Sequence, residues 1–105
     1  MRSLVVAAVV LVLGVGSAAA QSRFVVHQEG KKFVPSKLTV QQGDTVVFQN
    51  DDAVVHNVFS ETPGFEFNLK RQPAGSSNST KFSRPGVAEI RCAIHPGMKL
   101  SITVR

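Results

Sequence analysis

Cys92, His95 and Met98 stand three residues apart in Cys92-Ala93-Ile94-His95-Pro96-Gly97-Met98, and a fourth metal-capable side chain, His56, ends an apolar run far upstream. Cys92 is the only cysteine in the 105-residue chain. One thiolate, two imidazoles and one thioether make the ligand set of a mononuclear copper site, in which two histidines and the cysteine hold the ion and the methionine is a weak axial donor. Zinc also takes Cys and His, but structural zinc sites draw on two or more cysteines or a carboxylate, and a thioether is a poor zinc ligand. Haem attachment needs Cys-x-x-Cys-His, which this sequence lacks. A Cys/His pair is the material of nucleophilic catalysis, yet a methionine three residues further on contributes nothing to acyl transfer. No Ser/His/Asp set or phosphate-binding glycine loop accompanies it. With all four positions filled, no open coordination site is left for a substrate, so a binding protein rather than an enzyme is expected.

A lone cysteine is informative only together with its compartment. Arg2 is a positive start, Leu4 to Val15 is an apolar run, and Ala18-Ala19-Ala20 is a small-residue cleavage site. These are the three parts of a secretory signal peptide, and the apolar run is short for a membrane span. The expected organisation is a signal peptide over 1–20 and one domain over 21–105, exported or periplasmic, with no stable membrane insertion. In an oxidising compartment a bare thiol oxidises or cross-links, and ligation to a metal removes that hazard.

Lys and Arg number 12 against 7 Asp and Glu, a net charge of +5. Apart from Arg2, the basic residues are scattered from Arg23 to Arg105. No basic block and no interleaving of arginine with aromatics marks a nucleic-acid surface. The balance instead suits protein partners with acidic docking surfaces and electrostatically steered encounter.

The elements that must position these ligands read as short strands and turns, with no helical period. Strands are expected at Phe24 to Gln28, through Leu38 and Val40, at Thr45 to Gln49, at Val54 to Phe59 with His56 inside it, and where Phe65, Phe67 and Leu69 alternate with polar residues. Gln42-Gly43-Asp44, Asn50-Asp51-Asp52, Thr62-Pro63-Gly64 and Arg84-Pro85-Gly86 are turns, and Gln72 to Asn78 is a loop. A further strand alternates around Thr80 and Phe82. In Val87 to Cys92, Ala88, Ile90 and Cys92 share a face, so the thiol points inward from a strand end. Leu100, Ile102 and Val104 form the last inward face, and Ala93 to Met98 is a hairpin-like loop. His27 reads as a surface residue. Many short strands at regular spacing predict an all-β Greek-key sandwich or barrel.

The chain resembles a cupredoxin, the type I blue copper fold of the plastocyanin, pseudoazurin and amicyanin group. The resemblance is carried by Phe33-x-Pro35-x-x-Leu38-x-Val40, by Gly43-Asp44-Thr45-Val46-x-Phe48-x-Asn50-x-Asp52, by His56-Asn57-Val58 and by Cys92-x-x-His95-x-x-Met98. It implies one type I copper held by His56 and His95 through Nδ1, by the Cys92 thiolate and by Met98 as the weak axial ligand. It implies further that the backbone N–H of Asn57 donates to the Cys92 sulfur, tuning the potential. His95 would then be the ligand near the surface, ringed by loop residues such as Pro96, where an electron leaves toward a briefly docked redox partner. Such a protein is expected to be a monomer that carries single electrons between larger redox proteins. Copper handling, as a chaperone or resistance protein, is the alternative use of the same ligands. That use would favour an accessible site and extra methionines at its mouth, and Met98 is the only methionine after the leader. The chain departs from the group in having no tyrosine and in a compact stretch between His56 and Cys92.

Overall fold

The computed structural model describes residues 21–105, so the proposed leader lies outside the described residues. Nine strands follow one another: β1 (Arg23–Glu29), β2 (Lys32–Val34), β3 (Lys37–Val40), β4 (Asp44–Asn50), β5 (His56–Ser60), β6 (Phe67–Gln72), β7 (Ser77–Phe82), β8 (Gly86–Arg91) and β9 (Lys99–Val104). They form a four-stranded sheet in the order β2-β1-β4-β7 and a five-stranded sheet in the order β3-β9-β8-β5-β6. The chain changes sheet after β2, β3, β4, β6 and β7. Two of the pairings, β1 with β4 and β3 with β9, are therefore parallel, while the others are antiparallel. This is the all-β sandwich expected from the spacing of strands and turns.

Alternation sets the two inner faces. Val26 on β1, Val46 and Phe48 on β4, and Phe82 on β7 meet Ala88 and Ile90 on β8 and Leu100, Ile102 and Val104 on β9, all of them buried. Glu89 and Arg91, the intervening residues of β8, are exposed. Phe48 is fully buried between Phe33, edge-on to it at 6.4 Å, and Phe67, whose ring centroid is also 6.4 Å away. Phe67 then meets Phe82 edge-on at 6.2 Å. Phe65, Phe67 and Leu69 are partly buried against this core, as their alternation predicts.

Several boundaries differ from the sequence reading. β5 begins at His56, because Val54 and Val55 belong to the connection from β4, where Asn50 Nδ2 holds the Val54 carbonyl at 2.9 Å. The predicted loop from Gln72 to Asn78 shrinks to four residues. Ser77 and Asn78 join β7 opposite Gln49 and Phe48, since ladder pairing uses the backbone and tolerates polar side chains at an exposed position. β2 is absent from the strands expected from the sequence. It forms a hairpin with β1 through a two-residue turn in which Gly30 (φ 61°) and Lys31 (φ 59°) are both left-handed, the type I′ geometry that matches strand twist.

Phe48 joins both sheets through its ring contacts, so Phe48→Ala should remove about 3–5 kcal/mol of stability. Urea denaturation of the metal-free protein measures this. A loss below about 1 kcal/mol would place the centre of the core elsewhere.

Candidate metal centre

One end of the sandwich gathers the chemistry. Cys92 follows the last residue of β8, whose alternation turns Ala88, Ile90 and then the sulfur inward, and Cys92 is 2% exposed. β8 and β9 pair from Gly86↔Val104 to Arg91↔Lys99, so residues 92–98 are the loop that closes this ladder. His95 lies on the loop and is partly exposed, with Ile94, Pro96 and Gly97 around it open to solvent. His56 starts β5, the neighbour of β8, and is fully buried.

The three side chains converge. His56 Nδ1 lies 3.1 Å from His95 Nδ1, and Cys92 Sγ lies 3.9 Å from the first and 3.8 Å from the second. With metal–nitrogen bonds of about 2.0 Å and a metal–sulfur bond of about 2.3 Å, these separations subtend angles at an ion that total about 355°. An ideal tetrahedral trio would total about 328°, so donors at these separations would hold an ion in the trigonal His2Cys manner of copper more readily than in the tetrahedral manner of structural zinc. Met98 is buried in the same apolar cluster as Cys92, and its N–H donates to the His95 carbonyl at 2.9 Å, which fixes the loop between them.

The donors are held by a layer of polar residues. The Asn57 backbone N–H points at Cys92 Sγ from 3.4 Å. The Asn57 side chain ties three segments together: Oδ1 accepts from Ala93 N at 3.1 Å, and Nδ2 donates to Asn68 Oδ1 at 2.9 Å and to the Lys70 carbonyl at 3.3 Å. The β5–β6 register shifts between Asn57 and Phe59, and Lys70 has φ 65°. This is an irregularity of the kind that re-aims side chains beside functional sites.

Asp52 is the residue that sequence reasoning passed over as part of a turn. Its Oδ2 accepts from His56 Nε2 at 2.7 Å and from Lys31 N at 2.9 Å, while Oδ1 accepts from Gly30 N at 2.7 Å. Burial pushes its carboxyl pKa up, but the hydrogen bonds from His56 and from the Lys31 and Gly30 amides outweigh that and hold it below the usual value. A carboxylate facing Nε2 places the ring proton there and turns the Nδ1 lone pair toward Cys92 and His95, a second layer that raises ligand basicity. The signal was available, since an acidic residue four positions before a candidate ligand in a short loop is close enough to reach its far nitrogen. His27, read as a surface residue, stands apart from the centre. It is bonded through Nδ1 to Asp51 Oδ2, and Gln49 Nε2 donates to Asp51 Oδ1 at 2.8 Å. The bonds from Gln49 and His27 lower the pKa of Asp51 as well.

Residues 20–105 match the copper binding proteins of the plastocyanin/azurin family. The chain belongs to this family. It is a cupredoxin, and its metal is copper. It is 35% identical over 77 residues to amicyanin-alpha of Methylorubrum extorquens, a match covering 70% of this chain and 64% of that protein. It is 33% identical over 84 residues to plastocyanin of Ulva arasakii, covering 70% of this chain and 86% of the plastocyanin. The fold superposes on a reduced Cu(I) amicyanin variant with a TM-score of 0.74 at 25% identity, covering 86% of this chain and 88% of that one. It also superposes on a copper-containing nitrite reductase from Thermus scotoductus with a TM-score of 0.75 at 27% identity, but there it spans 84% of this chain and only 23% of the other.

Removing the carboxylate behind His56 should loosen the metal. Asp52→Ala is expected to weaken copper binding about 10–100-fold, read by competition with a chelator of known affinity. Asp51→Ala, which touches His27 instead, should change it little. Equal losses in the two variants would sink the assignment.

Proposed function

We propose that this cupredoxin is an exported carrier of single electrons between redox proteins, and that His56, Cys92 and His95, with Met98 as the weak axial donor, hold its copper. The observation that carries the reading is the convergence of two imidazole nitrogens and one sulfur to within 4 Å of one another, two of the three side chains being buried. When bound there, copper supplies a one-electron Cu(I)/Cu(II) couple. The residues of the chain keep the donors where they are in both states: β8 and β9 fix Cys92 and the loop, Asp52 fixes the His56 ring, and Asn57 directs an N–H at the sulfur. Soft, low-coordinate sites favour Cu(I), and nitrogen-rich tetragonal ones favour Cu(II). A scaffold that rearranges for neither keeps the cost of cycling low.

Burial of His56 and Cys92 leaves His95 as the donor residue with access to solvent. Ile94, at 47% exposure, and the exposed Pro96 give its surroundings an apolar surface suited to brief contact with a partner. The burial of His56 and Cys92 supports a carrier rather than an enzyme or a copper-transfer protein, because it leaves a substrate or a receiving ligand little access to these donors. The excess of lysine and arginine supports partners with acidic docking surfaces and a chain that works as a monomer. The leader-like residues 1–20 support export to the periplasm or beyond, and among the described residues no helix is long and apolar enough to cross a membrane.

The test is a visible absorption spectrum of residues 21–105 with one equivalent of copper(II), before and after ascorbate. A strong thiolate-to-copper band that bleaches on reduction and returns on reoxidation is expected. It should vanish in Cys92→Ser, whereas Met98→Leu should keep the band and shift the reduction potential. A nearly colourless copper(II) complex, or metal released on reduction, would refute the carrier reading.

A further inference from the structure

Beneath the donors, the two sheets are joined by buried amides as well as by apolar contact. Gln28 on β1 and Gln72 at the end of β6 are fully buried, and Gln28 Nε2 donates to Gln72 Oε1 at 3.0 Å from one sheet to the other. Gln72 is the residue opposite His56 in the β5–β6 ladder. Asn50 on β4, also fully buried, donates through Nδ2 to the carbonyls of Gln72 and Val54, each at 2.9 Å, and accepts at Oδ1 from Asp52 N at 2.9 Å. The segment that presents His56 is thus tied to the opposite sheet at Gln72 and Val54, while Asp52 holds the far side of its ring.

Among the described residues, two buried side-chain polar atoms have no partner: Gln28 Oε1 and Gln72 Nε2. One is an acceptor and the other a donor. Rotating both amides by half a turn leaves the same tally. A buried polar atom without a partner costs more than a typical bond returns, and two such atoms in one hydrogen-bonded pair call for a common solution. A second direct bond would close the amides into a ring, but the geometry makes only one. A single water accepting from Gln72 Nε2 and donating to Gln28 Oε1 satisfies both, and buried waters are found bridging polar groups of this kind.

We propose that one buried water bridges Gln28 and Gln72, and that the two amides and this water form a clamp between the sheets that positions His56. Gln28 and Gln72 are positioning residues, since they act on the ligand through its neighbour in the ladder. The water site stands on the amides alone, whereas the positioning role rests on the carrier reading above.

The copper-loaded protein in its reduced, diamagnetic state gives the first test. The side-chain amide protons of Gln28 and Gln72 should show NMR cross-relaxation with a long-lived water. Absence of that signal, with both amide-to-amide bonds detected instead, overturns the water. The second test uses Gln28→Met, Gln72→Met and the double substitution. Each single change strands the other amide and should lower the melting temperature by about 4–8 °C or more, and the double change should recover most of the loss. The electron self-exchange rate is the separate readout of position. It should fall several-fold in the double variant even though stability returns, because two thioethers cannot rebuild the clamp. An unchanged rate in that variant overturns the positioning role. Failure of the unsubstituted protein to show a reversible thiolate-to-copper band would count against the carrier reading and leave the water result standing.

Discussion

Two imidazole nitrogens 3.1 Å apart, each within 4 Å of one sulfur, are the constraint on which this end of the molecule depends. Three lone-pair-bearing atoms crowded together with little access to water lose hydration, and a proton shared between two of them leaves the third unpaired. No local preference of His56, Cys92 or His95 favours the arrangement. The surrounding structure imposes it, and a cation at the centre turns the crowding into coordination, so that binding the metal also stabilises the fold. The same crowding accounts for the polar layer around the donors. Asp52 commits the His56 proton to the far nitrogen, and Asn57 supplies an N–H to the sulfur, so neither donor can escape into a hydrogen bond with a different neighbour.

Asp52 shows how economical that layer is. One carboxylate serves the first ligand and the tip of the β1–β2 hairpin together. Lys31 adopts a left-handed conformation that is uncommon for a residue with a Cβ, and the bond from its amide to Asp52 offsets part of that cost. The hairpin turn is therefore shaped by the metal end of the protein, whose β4–β5 connection it touches through the Asp52 side chain. A turn that looks peripheral in sequence is mechanically continuous with the site.

The strand pattern and the converging residues were legible because both depend on side-chain type at fixed spacing. Ala88, Ile90 and Cys92 must share a face once the strand forms, and the loop to Met98 then has to bring His95 back over the sulfur. What stayed hidden depends on backbone geometry and on contacts distant in sequence. β2 is three residues long and is recognised only through its turn with β1. Ser77 and Asn78 carry no strand signal of their own and are recruited by Phe48 and Gln49 on β4. Gln28 shares the inward face of β1 with Val26 but its polar type argues for exposure, and Gln72 falls on the face of β6 that Asn68 and Lys70 expose, yet both are fully buried. Their partner is 44 residues away, so no local reading pairs them.

The division of labour between the sheets follows from where the residues sit. Cys92, His95 and His56 all come from adjacent strands of the five-stranded sheet, β8, the β8–β9 loop and β5. Asp52, Asn50 and Gln28, which brace the first ligand, come from the four-stranded sheet or from the connection leaving it. The separation of His56 from Cys92 is thus set by the pairing of β5 with β8 inside one sheet, and His95 is placed by the loop that closes the β8–β9 ladder. Orientation of the His56 ring is set across the gap between sheets, by side chains alone. Relative movement of the sheets would turn that ring before it altered the distance from His56 to Cys92, because the ladder holds the backbone while only Asp52 holds the ring's outer edge. The interface between sheets is therefore the place where the fold has to be stiff for the centre to keep one geometry through a change of charge.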